Sequence, residues 1–172
     1  MILKGRARTT VKPDGNSNDV NTDYIISGKY KFKTLDMKEL AKHVMEDLDP
    51  NFYEKVTAGD FIVGGANFGC GSSREQAPLA IKYADIGAVL AKSFARIFYR
   101  NAINTGLPVV ECDTDQIDPG DELQVDLSAG VINNKTRGIT IPVKPLPDVM
   151  IKILQDGGLA AHFRKHGGFN FE

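Results

Sequence analysis

Apolar positions along the chain follow two periods, one helical and one alternating, and together they predict an α/β protein. Met37, Leu40, Ala41, Val44, Met45 and Leu48 recur at helical spacing, so residues 36–48 are expected to form one amphipathic helix that Asp49-Pro50 closes. After a turn at Ala58-Gly59-Asp60, the run Phe61-Ile-Val63 predicts a strand that feeds directly into a glycine-rich loop. Residues 87–91 read as a buried strand and residues 94–105 as a helix, with Ser93 as its N-cap and Gly106 as its left-handed stop. Another strand follows over residues 107–111.

The pattern changes to alternation beyond Asp118-Pro-Gly120. Leu123, Val125 and Leu127, then Ile139, Ile141 and Val143, predict antiparallel hairpins with turns at residues 128–130 and at Asn133-Asn134. Prolines at 142, 145 and 147 end this β-rich portion, and residues 149–166 read as two short helices separated by Gly157-Gly158. Near the start, the polar stretch at residues 12–18 is a loop that follows a short first strand. No internal repeat or low-complexity tract interrupts the chain.

Composition narrows the function. With 172 residues, 42% apolar and 25% charged, the chain suits one globular domain with a substantial core. Its 21 basic and 22 acidic residues are interspersed and leave a net charge of −1, so there is no electrostatic footprint for nucleic acid or anionic membrane. The N-terminal Met-Ile-Leu-Lys-Gly turns polar at once and no segment reaches membrane-spanning length, which makes the cytoplasm the expected location. Two cysteines, Cys70 and Cys112, fall short of the thiolates an iron–sulfur cluster takes, and two free thiols are expected of them.

The candidate chemistry lies at residues 64–76, Gly-Gly-Ala-Asn-Phe-Gly-Cys-Gly-Ser-Ser-Arg-Glu-Gln. Glycines let backbone approach a ligand closely, as at Gly71, and a helix following them would aim N–H groups at an anion. Two familiar glycine loops are excluded. Cys70 stands where a phosphate-binding loop needs Lys, and Arg74 stands where a dinucleotide fingerprint needs its third glycine. Ser73 and Gln76 could form a capping box, but Pro78 moves the start of regular helix to about Glu75, with the helix running toward Ala84 and Ser72, Ser73 and Arg74 in the turn before it. Arg74 is suited to grip a carboxylate through two parallel hydrogen bonds.

Three segments in the right order carry a family resemblance: Ser72-Ser-Arg-Glu75 behind its glycines, Asp19-Val-Asn-Thr-Asp23 followed by Tyr24-Ile-Ile, and the stretch from Ala91-Lys-Ser-Phe-Ala-Arg96 to Asn104. Together they resemble the swivel domain of the aconitase superfamily, most closely the separate small subunits of isopropylmalate isomerase and its homoaconitase relatives. The resemblance runs nearly end to end. It implies an α/β fold, a single layered ββα swivel domain over residues 1–172 with a mixed sheet and a β-rich C-terminal portion. It also implies a hydro-lyase that interconverts 2- and 3-isopropylmalate by dehydration and rehydration, in leucine biosynthesis. Ser72 takes the place of the catalytic base and Arg74 that of the carboxylate clamp. Ser73 would add a hydrogen bond to substrate or cap the helix, and Asp23 matches an acidic position brought near the active site.

The segment Gly28-Lys-Tyr-Lys-Phe-Lys-Thr34 takes the place of the loop that senses the substrate's variable group, which makes Lys31, Phe32 and Lys33 candidate substrate contacts. It departs from the family pattern, in which apolar residues suit isopropylmalate and an arginine suits homoaconitate. Gln76 stands where many relatives carry histidine. The resemblance places a 4Fe-4S cluster on a large-subunit partner, in a heterodimer or heterotetramer, with iron there as the Lewis acid for the leaving hydroxyl. This chain would bind no cofactor and would be inactive alone. Two alternatives stay open, namely a related substrate such as homoaconitate, dimethylmalate or another malate derivative, and a non-catalytic carboxylate-binding or regulatory module. Of the histidines, His43 lies off its helix's apolar stripe and is expected at the surface. His162 and His166, spaced i, i+4, have no evident third metal ligand and suggest a solvated helix end. Arg96 and Arg100 read equally as an anion-facing pair or as a surface pair.

Overall fold

The computed structural model describes residues 1–30 and 36–168. Its centre is a seven-stranded mixed sheet built outward from the first strand, β1 (Ile2–Thr9). On one side β1 pairs in parallel with β2 (Phe61–Val63), which leads to β3 (Ala88–Ala91) and β4 (Val109–Glu111), all parallel. On the other side it pairs antiparallel with β5 (Glu122–Asp126), followed by β6 (Val131–Asn134) and β7 (Ile139–Pro142). Both halves match their sequence patterns. Every residue of β2 and β3 is buried, as parallel strands covered on both faces require, whereas β5 alternates because it carries one dry face.

Helices cover the parallel half: α1 (Thr22–Ile25), α2 (Met37–Ala41), α3 (Phe52–Lys55), α4 (Gln76–Tyr83), α5 (Arg96–Thr105), α6 (Asp148–Gln155) and α7 (Leu159–His166). Among the described residues no helix is long and apolar enough to cross a membrane. The loops that leave β2 and β3 emerge at the C-terminal ends of parallel strands, where open α/β sheets place their ligands.

Three local expectations are corrected. The helix over residues 36–48 ends at Ala41. Asp36 caps it through Lys38 N at 2.9 Å, but beyond Lys42 the chain makes i→i+3 bonds such as Glu46 N to His43 O, and Met45 takes φ 55 so that its N–H donates to Ile25 O at 2.9 Å. A neighbouring segment thus captures the donor that would have extended the helix, while Leu40, Ala41, Val44 and Met45 stay buried. Ser93 does not cap α5, which begins after Ala95. Its hydroxyl accepts from Asn67 N at 2.8 Å, and Phe94 bridges to Phe68 in the glycine loop. The second hairpin turns at residues 135–138, because Asn133 and Asn134 belong to β6. The buried Asn134 side chain is satisfied there, donating to Asp121 Oδ2 at 2.8 Å and to Gln116 O at 3.1 Å.

Candidate active site

The glycine loop leaves β2 and is held on both flanks by main-chain hydrogen bonds. Gly64 N donates to Leu90 O at 2.8 Å, and Gly65 N donates to Ser17 O at the same distance. Asp19 N donates to Ala66 O at 2.9 Å, Gly69 N to Val20 O at 2.8 Å and Thr22 N to Cys70 O at 2.9 Å. The buried Thr22 hydroxyl completes the row by donating to Ser72 O at 2.8 Å. Residues 17–22 therefore act as a splint along the loop. Gly69 and Gly71 take φ 81 and φ 93, a left-handed backbone in which a side chain is strained, and Gly69 lies against the Phe98 ring of α5.

The loop ends in an exposed pair of hydroxyls, Ser72 and Ser73, and a largely enclosed guanidinium. Arg74 Nη2 lies 2.6 Å from Asp23 Oδ1, and Nη1 donates to Ile26 O at 3.3 Å. The Asp23 side chain is 61% exposed and that of Arg74 only 17%, so a surface carboxylate steers a cation held from behind by the protein. Asn21 fixes Asp23 in turn, accepting on Oδ1 from Asp23 N at 2.9 Å and Tyr24 N at 3.1 Å.

Ser72, Ser73, Arg74 and Gly71 line a cavity of about 710 Å³ whose opposite wall is α5, with Arg96, Arg100 and Asn101. Arg74, paired with Asp23, and the guanidiniums of Arg96 and Arg100 give the cavity wall an excess of positive charge. Ser73 does not cap a helix, since α4 begins at Gln76 after Glu75 and no side chain bonds across that cap. Asp23 does not line this cavity and meets it only through its ion pair with Arg74. Lys31, Phe32 and Lys33 lie outside the described residues.

Sequence reasoning missed Thr22, whose side chain reaches the loop only because the splint folds against it. It also left the arginines of α5 open, and both now face the cavity. Their i, i+4 spacing was the available signal.

The cysteines do not suit a cluster. Both are free. Two thiols are fewer than the three or four a cluster takes; burial and then the charge of Asp113 push the Cys112 thiol up to about 12, and burial with Asp19 raises that of Cys70.

His43 and His162 are more enclosed than expected, whereas His166 is exposed at its helix end. His43 is half-buried, stacked on Tyr30 with ring centroids 3.9 Å apart and with Nδ1 2.5 Å from Glu46 Oε2. His162 is buried, and Asp156 joins it and His166 at 2.7 and 2.9 Å, with ligand atoms close enough together to suggest a metal. Lys165 Nζ, 2.8 Å from Asp156 Oδ1, supplies the cation instead, so the group clasps α7 to the turn after α6. Hydrogen bonds from Lys165, then His162 and His166, hold the Asp156 carboxyl well below the usual range against the opposing effect of burial.

Comparison with known proteins places this geometry. Residues 27–114 match the aconitase C-terminal domain. The chain is 62% identical to 3-isopropylmalate dehydratase small subunit 2 of Archaeoglobus fulgidus, over 87% of this chain and 91% of that one. The chain belongs to the 3-isopropylmalate dehydratase small-subunit family. Its fold agrees with a crystal structure of 3-isopropylmalate dehydratase from Methanocaldococcus jannaschii at a TM-score of 0.89, with 48% identity over 97% of this chain and 96% of that one. A homoaconitase small subunit of Methanothermobacter thermautotrophicus is also similar, 54% identical over 86% of each chain. Within the 3-isopropylmalate dehydratase small-subunit family, the mixed sheet and the α/β layers described above are the shared frame.

Proposed function

We propose that this chain, acting as one swivel unit over residues 1–172, supplies the proton-abstracting half of a two-chain hydro-lyase that converts 2-isopropylmalate to 3-isopropylmalate in leucine biosynthesis. The observation that carries this reading is the shared cavity. Ser72, with no hydrogen bond on its hydroxyl among the described residues, opens onto the same space as Arg74, whose guanidinium is already oriented by Asp23 and Ile26.

Arg74 would hold the carboxylate next to the reacting carbon, keeping that C–H bond against Ser72 Oγ. Ser72 takes the proton and keeps it as the hydroxyl on the adjacent carbon departs, so the substrate loses the elements of water and becomes an alkene. In the rehydration Ser72 returns that proton to the carbon that lost the hydroxyl, while hydroxide adds at the carbon that lost the proton, which gives the isomer. A serine hydroxyl is a weak base, so its ionised form needs a positive field, which Arg74 would supply from the same cavity wall. Ser73 and the Gly71 backbone border the same space and would complete the substrate's polar contacts. A larger partner subunit would bring the 4Fe-4S cluster, the Lewis acid for the leaving hydroxyl, because the two thiols here do not form a cluster site.

The 54% identity to a homoaconitase small subunit supports a second reading, in which the same residues act on a tricarboxylate. A substrate panel with the reconstituted pair separates the two. The primary test is Ser72→Ala. The variant is expected to assemble with the large subunit and to lose turnover by at least about 100-fold, as for a general base. Retained turnover would refute the assignment.

A further inference from the structure

The outer face of α5 carries more than the wall of the site. Arg96 and Arg100, one turn apart and both exposed, line the Ser72 cavity and also a second cavity of about 560 Å³ on their other side. That groove is mostly apolar, walled by Phe94, Tyr99, Ile103, Pro145, Leu146 and Met150. Ile97 stands between the arginines and is 53% exposed, although α5 buries Phe98, Ala102 and Ile103 on its inner side. Val149 at the groove's edge is 39% exposed. Neither arginine forms an ion pair among the described residues, whereas Arg8, Arg74 and Arg137 each lie within 4.0 Å of a carboxylate.

We propose that this ridge and groove form the docking face for the large subunit, which presents carboxylate side chains to Arg96 and Arg100 and an apolar segment to the groove. The inference rests on the reading that a second chain completes the Ser72 site, and it specifies where that chain sits. Continuity fixes the occupant. The two cavities meet along Arg96 and Arg100, so a chain that closes the Ser72 cavity over α5 also covers this ridge. The chemistry agrees, because arginine and large apolar side chains around a pocket are the composition of interface centres. Glu111 and Lys144 also line the groove and offset one another, which leaves the arginines as its excess charge.

The test is a binding titration of the full chain against the large subunit of the same enzyme, purified anaerobically, with substrate kinetics measured on the same samples. The variant R96E/R100E is expected to weaken association at least about 30-fold and Ile97→Asp at least about tenfold, as for central interface positions. Arg164→Glu on α7, which lines neither cavity, is expected to leave it within about threefold. Should R96E/R100E fail to fold by circular dichroism, R96Q/R100Q replaces it and is expected to flatten the salt dependence of binding. Unchanged Kd in either arginine pair and in Ile97→Asp overturns the proposal. A raised KM with intact Kd also overturns it, by making the arginines substrate ligands. Ser72→Ala separates the two hypotheses, since its binding with normal Kd and no turnover leaves the base assignment standing whatever the arginine variants do.

Discussion

Substituting Gly69 by alanine probes the framework that aims Ser72. Its φ of 81 lies in the left-handed region, where an L side chain costs about 1–2 kcal/mol. An added Cβ would also lie 2.5 Å from Phe98 Cβ and 2.6 Å from its Cδ2. Phe98 has little freedom to retreat, being 3% exposed, edge-on to Phe68 at 5.5 Å between centroids and stacked on Phe94 at 6.2 Å. Overpacking of that kind costs about 1–3 kcal/mol, so the sum is about 2–5 kcal/mol, which a domain stable by about 5–15 kcal/mol can survive. Urea unfolding of the chain, followed by circular dichroism, is expected to show that loss as a lower midpoint with unchanged slope. Reconstituted with its partner, the variant is expected to lose turnover by at least about tenfold if Ser72 is the proposed base, because an ångström of displacement at the loop misplaces its hydroxyl. A loss below about 1 kcal/mol with full turnover would show that α5 does not set the position of Ser72.

Three further outcomes follow from the same contacts. Thr22→Val keeps the shape of the buried side chain and removes its bond to Ser72 O, so stability is expected to fall by about 1 kcal/mol and turnover with it, with Thr22→Ser restoring both. Iodoacetamide at pH 8 is expected to label Cys70 slowly and spare Cys112, whose thiol ionises only near pH 12, and peptide mass spectrometry reads the order. For Asp156→Asn the sign comes from the depressed folded-state value of the Asp156 carboxyl. Its stabilisation is complete above the ordinary carboxylate range near pH 4 and is lost as pH falls through the depressed value, so the wild-type advantage in urea midpoint is expected at neutral pH and to shrink on acidification.

Most of the frame is legible in the sequence because strand burial and glycine chemistry are local. The runs at residues 61–63 and 88–91 announce covered parallel strands, Gly106 ends α5 with φ 89, and Gly157-Gly158 divides α6 from α7. The errors arise where a distant group takes a hydrogen bond that local pattern assigns to a neighbour. Met45 N goes to Ile25, Ser93 Oγ to Asn67 and Asn134 to Asp121, and none of these partners is near in sequence. His162 misled for the same reason, since only the bend after α6 brings Asp156 to it.

The site divides its hydrogen bonds in a way that bears on function. Loop backbone is normally solvated, yet the N–H groups from Gly64 to Gly69 and the C=O groups of Ala66, Cys70 and Ser72 are bonded by residues 17–22, Leu90 and Ser93. That arrangement leaves the Ser72 and Ser73 hydroxyls unspent and fixes where they stand. Arg74 follows the same division, with Nη2 on Asp23 and Nη1 on Ile26 O, while its remaining donors can meet a carboxylate without first breaking a protein contact. Rigid main chain with uncommitted side-chain donors is what a preorganised anion site requires, since little reorganisation accompanies binding. The same reasoning accounts for the place of α5. Its inner face, through Phe98, holds the loop from below, and its outer face leaves Arg96, Ile97 and Arg100 exposed, so on the proposed reading one helix would tie the position of Ser72 to the surface offered to a second chain.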